Sequence, residues 1–172
     1  MLHALDTAGV RYALVGGHAL AARGYPRFTV DVDLLTTDGR ALDASTWTAL
    51  EAAGASVERR RGDTGDPLAG VVHILLADET DVDVVVAREA WQAEVIGRAE
   101  AVTIAPNLVV PVPQAADLIL LKLAAGGVLD VRDAAALLAT DRAHLAQVVE
   151  SRLGGVTPNL RSVWHDVLAM AL

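Results

Sequence analysis

Asp31 and Asp33 lie one residue apart in Thr29-Val30-Asp31-Val32-Asp33-Leu34-Leu35, where apolar and polar side chains alternate. The alternation predicts a strand over 29–35, with Val30, Val32 and Leu34 on one face and both carboxylates on the other. Side chains two residues apart in a strand start roughly 6.5–7 Å apart at the backbone, so the pair can converge on a hard cation that takes oxygen ligands. Two such charges repel, and the fold loses stability unless a cation or an arginine offsets them.

The preceding stretch positions that pair. Tyr12 to Val15 is short, apolar and partly β-branched, which reads as a buried strand, and it stops at Gly16-Gly17, where no side chain limits the approach of the backbone. An Ala/Leu-rich helix is expected over His18 to Arg23, with Gly24 at its C-terminal end. The unpaired N–H groups of its first turn would sit just after the glycines, an arrangement that suits an anion, and His18 is beside it. Tyr25-Pro26 breaks the chain before the acidic strand.

Gly16, Gly17, Ala19, Gly24, Arg27, Thr29, Asp31 and Asp33 together resemble the signature of the DNA polymerase beta-like nucleotidyltransferase superfamily. The segment is most similar to the compact bacterial branch with the abortive-infection type (AbiE-like) nucleotidyltransferase toxins. That resemblance implies an α+β fold: a small mixed sheet with helices on one face, then a helical C-terminal part. It also implies a third carboxylate on a strand beside Asp31 and Asp33, and Val82-Asp83-Val84-Val85 is similar to that element, which gives the role to Asp83. Asp81 reads as a solvated strand end.

Of the chain's Lys and Arg residues, 14 in all, a single one is lysine, Lys122 in Leu118-Ile119-Leu120-Leu121-Lys122-Leu123. A compact ammonium kept on a helix of core residues, in a chain that otherwise uses arginine, marks a position where a point charge matters. Asp117 to Ala125, followed by Asp130 and Asp133, also resembles the Asp-Leu-x-x-x-Lys-Leu-x-Ala and Asp-x-x-Asp blocks of the toxin-like branch. The chain departs from that branch at Arg23, where histidine is usual, and at Gly127-Val128-Leu129, where basic residues are usual.

Composition sets the frame. With 172 residues, 53% of them apolar, the chain can bury one ordinary core, divided here into a catalytic core over 1–112 and a helical part over 113–172 packed on it. The net charge of −8 argues against strong non-specific affinity for nucleic acid. Arg59-Arg60-Arg61, the only basic cluster, reads as a solvated loop edge or as a contact to a phosphate-bearing acceptor. Cysteine is absent, no stretch of eighteen residues is apolar, and no basic region precedes an apolar one at the N-terminus, so the expectation is a cytoplasmic protein with no membrane partner.

A hairpin is expected from Gly70 to Ala77 and Asp81 to Ala87 around Asp78-Glu79, and helices over 46–53, 90–99, 114–125, 130–139, 141–153 and 158–172. His18 apart, His73, His144 and His165 read as structural, lacking metal-ligand spacing. The resemblance implies transfer of a nucleoside monophosphate from a nucleoside triphosphate to an acceptor: a tRNA, a protein or a small molecule. Asp31, Asp33 and Asp83 would hold Mg²⁺ or Mn²⁺, and Gly16, Gly17, His18, Arg27, Thr29 and Lys122 would bind the nucleotide. A toxin paired with an antitoxin fits that branch; a non-catalytic nucleotide-binding or partner-binding module, an antibiotic-modifying enzyme and a homo-oligomer stay open.

Overall fold

Leu14, Leu34, Val84 and Val72 stand in one row across four neighbouring strands, each no more than 2% exposed. The computed structural model describes residues 1–156 and 160–170, and this row marks the inner face of its five-stranded sheet. The strands are β1 (Tyr12–Val15), β2 (Val32–Thr36), β3 (Ser56–Arg61), β4 (Leu68–Leu75) and β5 (Asp81–Ala87), in the order β1-β2-β5-β4-β3. β2 and β5 run parallel and every other pair is antiparallel, so the sheet is mixed.

β5 reads Asp-Val-Asp-Val-Val-Val-Ala, and its valines suit the pleated, half-buried surface. The inner face is closed from outside by the 3₁₀ turn Gly39–Leu42, whose Leu42 lies against Gly70, and by α3 (Ala44–Ala52), whose buried Trp47 donates its indole N–H to the carbonyl of Ala41 at 2.7 Å. α1 (Leu2–Thr7) packs beside α3. α3 starts two residues earlier than the sequence pattern suggests, with Asp43 in the N-cap position.

Beyond the sheet come α4 (Ala90–Gly97) and a separate hairpin of β6 (Glu100–Ala105) and β7 (Leu108–Val112), turned at Asn107 with φ of 62°. α5 (Ala115–Ala125), α6 (Val128–Thr140), α7 (Arg142–Arg152) and α8 (Leu160–Met170) follow as the helical C-terminal part. Of the expected final helix, 158–159 and 171–172 lie outside the described residues. Among those described, no helix is long and apolar enough to cross a membrane.

Asp117 joins three of these helices. It is completely buried on α5 and accepts from Arg98 at the end of α4 at 2.9 and 3.1 Å, while Arg152 at the end of α7 lies 2.9 Å away. Removing a buried carboxylate strands the charges it faces, at a cost of about 3–5 kcal/mol. Asp117→Leu should therefore lower the urea midpoint with little change in slope, and a loss below about 1 kcal/mol would show that the two arginines find other partners.

Candidate active site

The outer face of the same sheet carries a second row: Val15, Asp33, Asp83, His73 and Glu58 are successive register partners on β1, β2, β5, β4 and β3. Neighbouring strands lie roughly 4.8 Å apart, so Asp33 and Asp83 stand side by side. The two strands are second and third in the sheet rather than at its edge. Asp31 departs from expectation, because β2 begins at Val32, where pairing with β5 begins, and Asp31 is an exposed residue of the bend before it. It joins the acids from the approach to the strand.

Gly16 explains how the cluster fits. It has φ of +65°, and a Cβ built on it would come 1.8 Å from Oδ2 of Asp33. The glycine is thus demanded twice, by its left-handed backbone and by the carboxylate lying against it. A Cβ on Gly17 would meet the side chain of Thr29 at 2.7 Å, so the second glycine admits the loop that leads to the acids. α2 runs over Gly16–Ala22, which brings both glycines inside the helix instead of before it. Thr29 donates weakly to the carbonyl of Asp31 at 3.4 Å, and His18, half-buried on α2, makes no hydrogen bond or ion pair among the described residues.

Burial pushes the Asp33 carboxyl above the ordinary carboxylate range, and the nearby charges of Asp83 and Asp31 add to that, while Lys122 and Arg27 oppose it. The other four candidate charges therefore all act on Asp33. Lys122, on the last turns of α5, and Asp130, on the first turn of α6, are 2.7 Å apart; Asp133, one turn further along, brings Oδ2 to 3.3 Å from Lys122 and 3.5 Å from Nε of Arg27. Asp133 is 4% exposed, and its Oδ2 receives no directed hydrogen bond. One buried carboxylate thus faces two cations that would otherwise repel, and a cavity of about 560 Å³ lined by Gly16, Asp33, Trp91, Lys122 and Asp130 opens beside them.

His73 was not legible as a site residue, yet its Nδ1 lies 3.0 Å from Asp83 and 3.2 Å from Asp81. The hydrogen bond to Asp83 raises its pKa, with Asp81, Asp83 and Glu58 as further charges acting the same way. A hairpin symmetric about Asp78 pairs residue 73 with residue 83, so the turn itself carried the signal. Arg23 turns away from the acids: it donates to the carbonyls of Val112 and Pro113, both at 2.7 Å, and pairs with Glu100 at 2.9 Å, which fixes the β6–β7 hairpin.

The donors suit a hard divalent cation. Asp33 and Asp83 offer only oxygen, they repel in its absence, and Mg²⁺ commonly keeps water and substrate phosphates among its ligands instead of a full protein cage. As they stand, no three acidic or histidine side chains among the described residues converge closely enough to enclose an ion by themselves.

No protein-family model and no curated protein matches this sequence. Solved structures do. The chain is similar to the crystal structure of ANT(2″)-Ia in complex with adenylyl-2″-tobramycin, with a TM-score of 0.59 and 18% identity over 95% of this chain and 94% of that one. The solution structure of the same antibiotic-resistance factor gives a TM-score of 0.59 and 16% identity over 96% of this chain and 93% of that one. This chain has the fold of ANT(2″)-Ia.

Proposed function

We propose that the chain is a metal-dependent nucleotidyltransferase that moves a nucleoside monophosphate from a nucleoside triphosphate to an acceptor hydroxyl. The observation that carries this reading is the pairing of Asp33 with Asp83 on adjacent parallel strands, with Gly16 pressed against Asp33 and Lys122 close by. Divalent cations held by Asp31, Asp33 and Asp83 would lower the pKa of the attacking hydroxyl and neutralise the triphosphate. The hydroxyl oxygen bonds to the α-phosphorus, pyrophosphate leaves, and Asp83 accepts the proton.

Gly16 and Gly17 let backbone N–H groups approach the phosphates, with His18 and Thr29 flanking them. Lys122 and Arg27 offset the charge that builds on the leaving group, and Asp133 holds the two cations together. The product bound in the neighbouring ANT(2″)-Ia structure favours a small-molecule acceptor as the second part of the reading. A toxin role rests on the resemblance of the motifs alone.

The raised pKa of Asp33 means that the folded chain holds this proton more tightly than the unfolded chain. The stability so gained is present at low pH and is lost as pH rises through the folded value, beyond which the carboxylate is ionised and crowded. Asp33→Asn should therefore raise Tm at neutral pH in the absence of metal. Mg²⁺ should raise Tm in the unaltered chain but not in Asp33→Asn/Asp83→Asn, and an equal metal shift in both proteins would count against the metal site.

Lys122→Met should cut transfer by roughly 10²–10³-fold, a typical effect of removing one transition-state charge partner. Its Tm should fall only modestly, because Arg27 still faces Asp133. Lys122→Arg should not restore transfer, since a planar guanidinium replaces a point charge in a position only 16% exposed. Turnover close to that of the unaltered chain would make this lysine a counter-ion of α6 and nothing more.

Gly16→Ala should abolish transfer, because the added Cβ takes the place of the Asp33 carboxylate. The left-handed backbone alone would cost about 1–2 kcal/mol of stability, readable as a drop in the urea midpoint. Normal turnover in this variant would place the chemistry elsewhere.

A further inference from the structure

We infer that the groove on the β4 side of Asp83 seats the acceptor, and that the acceptor is a small hydroxylated compound carrying a phosphate group. This rests on the transfer reading above. The groove has a volume of about 590 Å³, and Arg60, Arg61, Leu68, Val71, His73 and Asp83 are among the residues lining it. That is the size of a small-molecule site. Pro67 and Leu68 wall both this groove and the cavity beside Lys122 and Asp33, so the two spaces adjoin along the Asp33–Asp83 row. An acceptor lying here would present its hydroxyl from the side opposite Lys122.

The charges that face the groove indicate the chemistry. Strand alternation divides Arg59-Arg60-Arg61: Arg59 pairs with Glu51 of α3 at 3.3 Å, and Arg61 with Asp43 just before α3 at 3.1 Å. Arg60 stands opposite Val71, on the face that also carries His73 and Asp83. Its side chain is 83% exposed, and its one pair among the described residues, Glu58 at 3.5 Å and itself 61% exposed, is of the solvent-screened kind that contributes little. Arg88 also reaches this side, donating to the carbonyls of Gly62 and Asp63.

Four acids share the neighbourhood. Asp66 accepts from the backbone N–H of Asp63 at 2.9 Å, Asp81 and Asp83 both face His73, and Glu58 lies on Arg60. With Asp83 engaged in the transfer, His73 on β4, still facing Asp81, and Arg60 on β3 are donors one and two strands beyond the reacting hydroxyl. A guanidinium beside an imidazole suits a phosphate, whose oxygens accept charge-assisted hydrogen bonds. The polyamine acceptor seen in the ANT(2″)-Ia product would instead meet Arg60 with like charge. In the transfer the acceptor oxygen bonds to the α-phosphorus, the bond to pyrophosphate breaks, and the hydroxyl proton passes to Asp83; the acceptor's own phosphate is unchanged.

The test is a binding titration on the full chain followed through the His73 imidazole resonances, with ribose 5-phosphate, ribose, tobramycin and a short oligoribonucleotide as probes. Mg·ATP binding is measured in parallel. Ribose 5-phosphate should shift those resonances while ribose does not, and Arg60→Glu should weaken that binding by roughly 10-fold or more, the scale of one hydrogen bond to a charged group. Binding of Mg·ATP should be unchanged in Arg60→Glu. Equal binding of ribose and ribose 5-phosphate, insensitivity to Arg60→Glu, or preference for tobramycin or the oligoribonucleotide would each overturn the inference. Normal Mg·ATP binding with no response to ribose 5-phosphate sinks this inference alone, whereas failure to bind Mg·ATP sinks the transfer reading and the acceptor role with it.

Discussion

The carboxylate of Asp33 occupies the volume in which residue 16 would carry a Cβ, and much of the architecture follows from that contact. It requires a glycine in left-handed conformation at the end of β1, which turns the chain directly into α2. It requires β1 to end opposite Asp33, and the register pairs Val15 with Asp33 there. The next strand over, β5, then brings Asp83 alongside in parallel register, so the sheet places two acids together on its outer face while burying Leu34 and Val84 on the inner one.

Crowding of this kind works against stability. Burial and the charges of Asp83 and Asp31 all resist ionisation of Asp33, and Lys122 and Arg27 offset them only in part. The fold tolerates the arrangement because the inner face, the Trp47 anchor and the Asp117 hub hold the surrounding elements independently of the acids. A stable scaffold can carry an unfavourable charge cluster on one open face, the usual trade of stability against function.

Lys122 and Arg27 show how the helical part takes part in the site. The lysine is on α5 and the arginine on the loop before β2, and neither element touches the other through sequence. Asp133 on α6 brings them together, with Asp130 holding the lysine from the other side. Two cations side by side are themselves unfavourable unless a carboxylate stands between them, and here that carboxylate is buried, where its charge acts with little screening. The C-terminal helices thus set the geometry of charges that face the sheet's acids.

Much of this was determined by local sequence. Alternation in Val32-Asp33-Leu34 and in Val82-Asp83-Val84 put the acids and the core residues on opposite faces, the Gly16-Gly17 pair marked the tight approach, and a single lysine among arginines marked position 122. Those are short-range signals, set by the two-residue period of a strand and by the lack of a Cβ. What only tertiary structure decided are the long-range partners. Asp31 lies outside β2 because pairing with β5 begins only at Val32 and Val82, although β5 itself starts at Asp81, which pairs with Leu75 of β4 instead. His73 joined Asp83 because the hairpin register set it there, and Arg60 was separated from Arg59 and Arg61 by the face on which each falls. Asp117 and Asp133 look alike in sequence, both acids on apolar helices. Which of them locks helices and which gathers the site's cations depends on where Arg98, Arg152, Arg27 and Lys122 arrive in space, and residue spacing along the chain does not encode that.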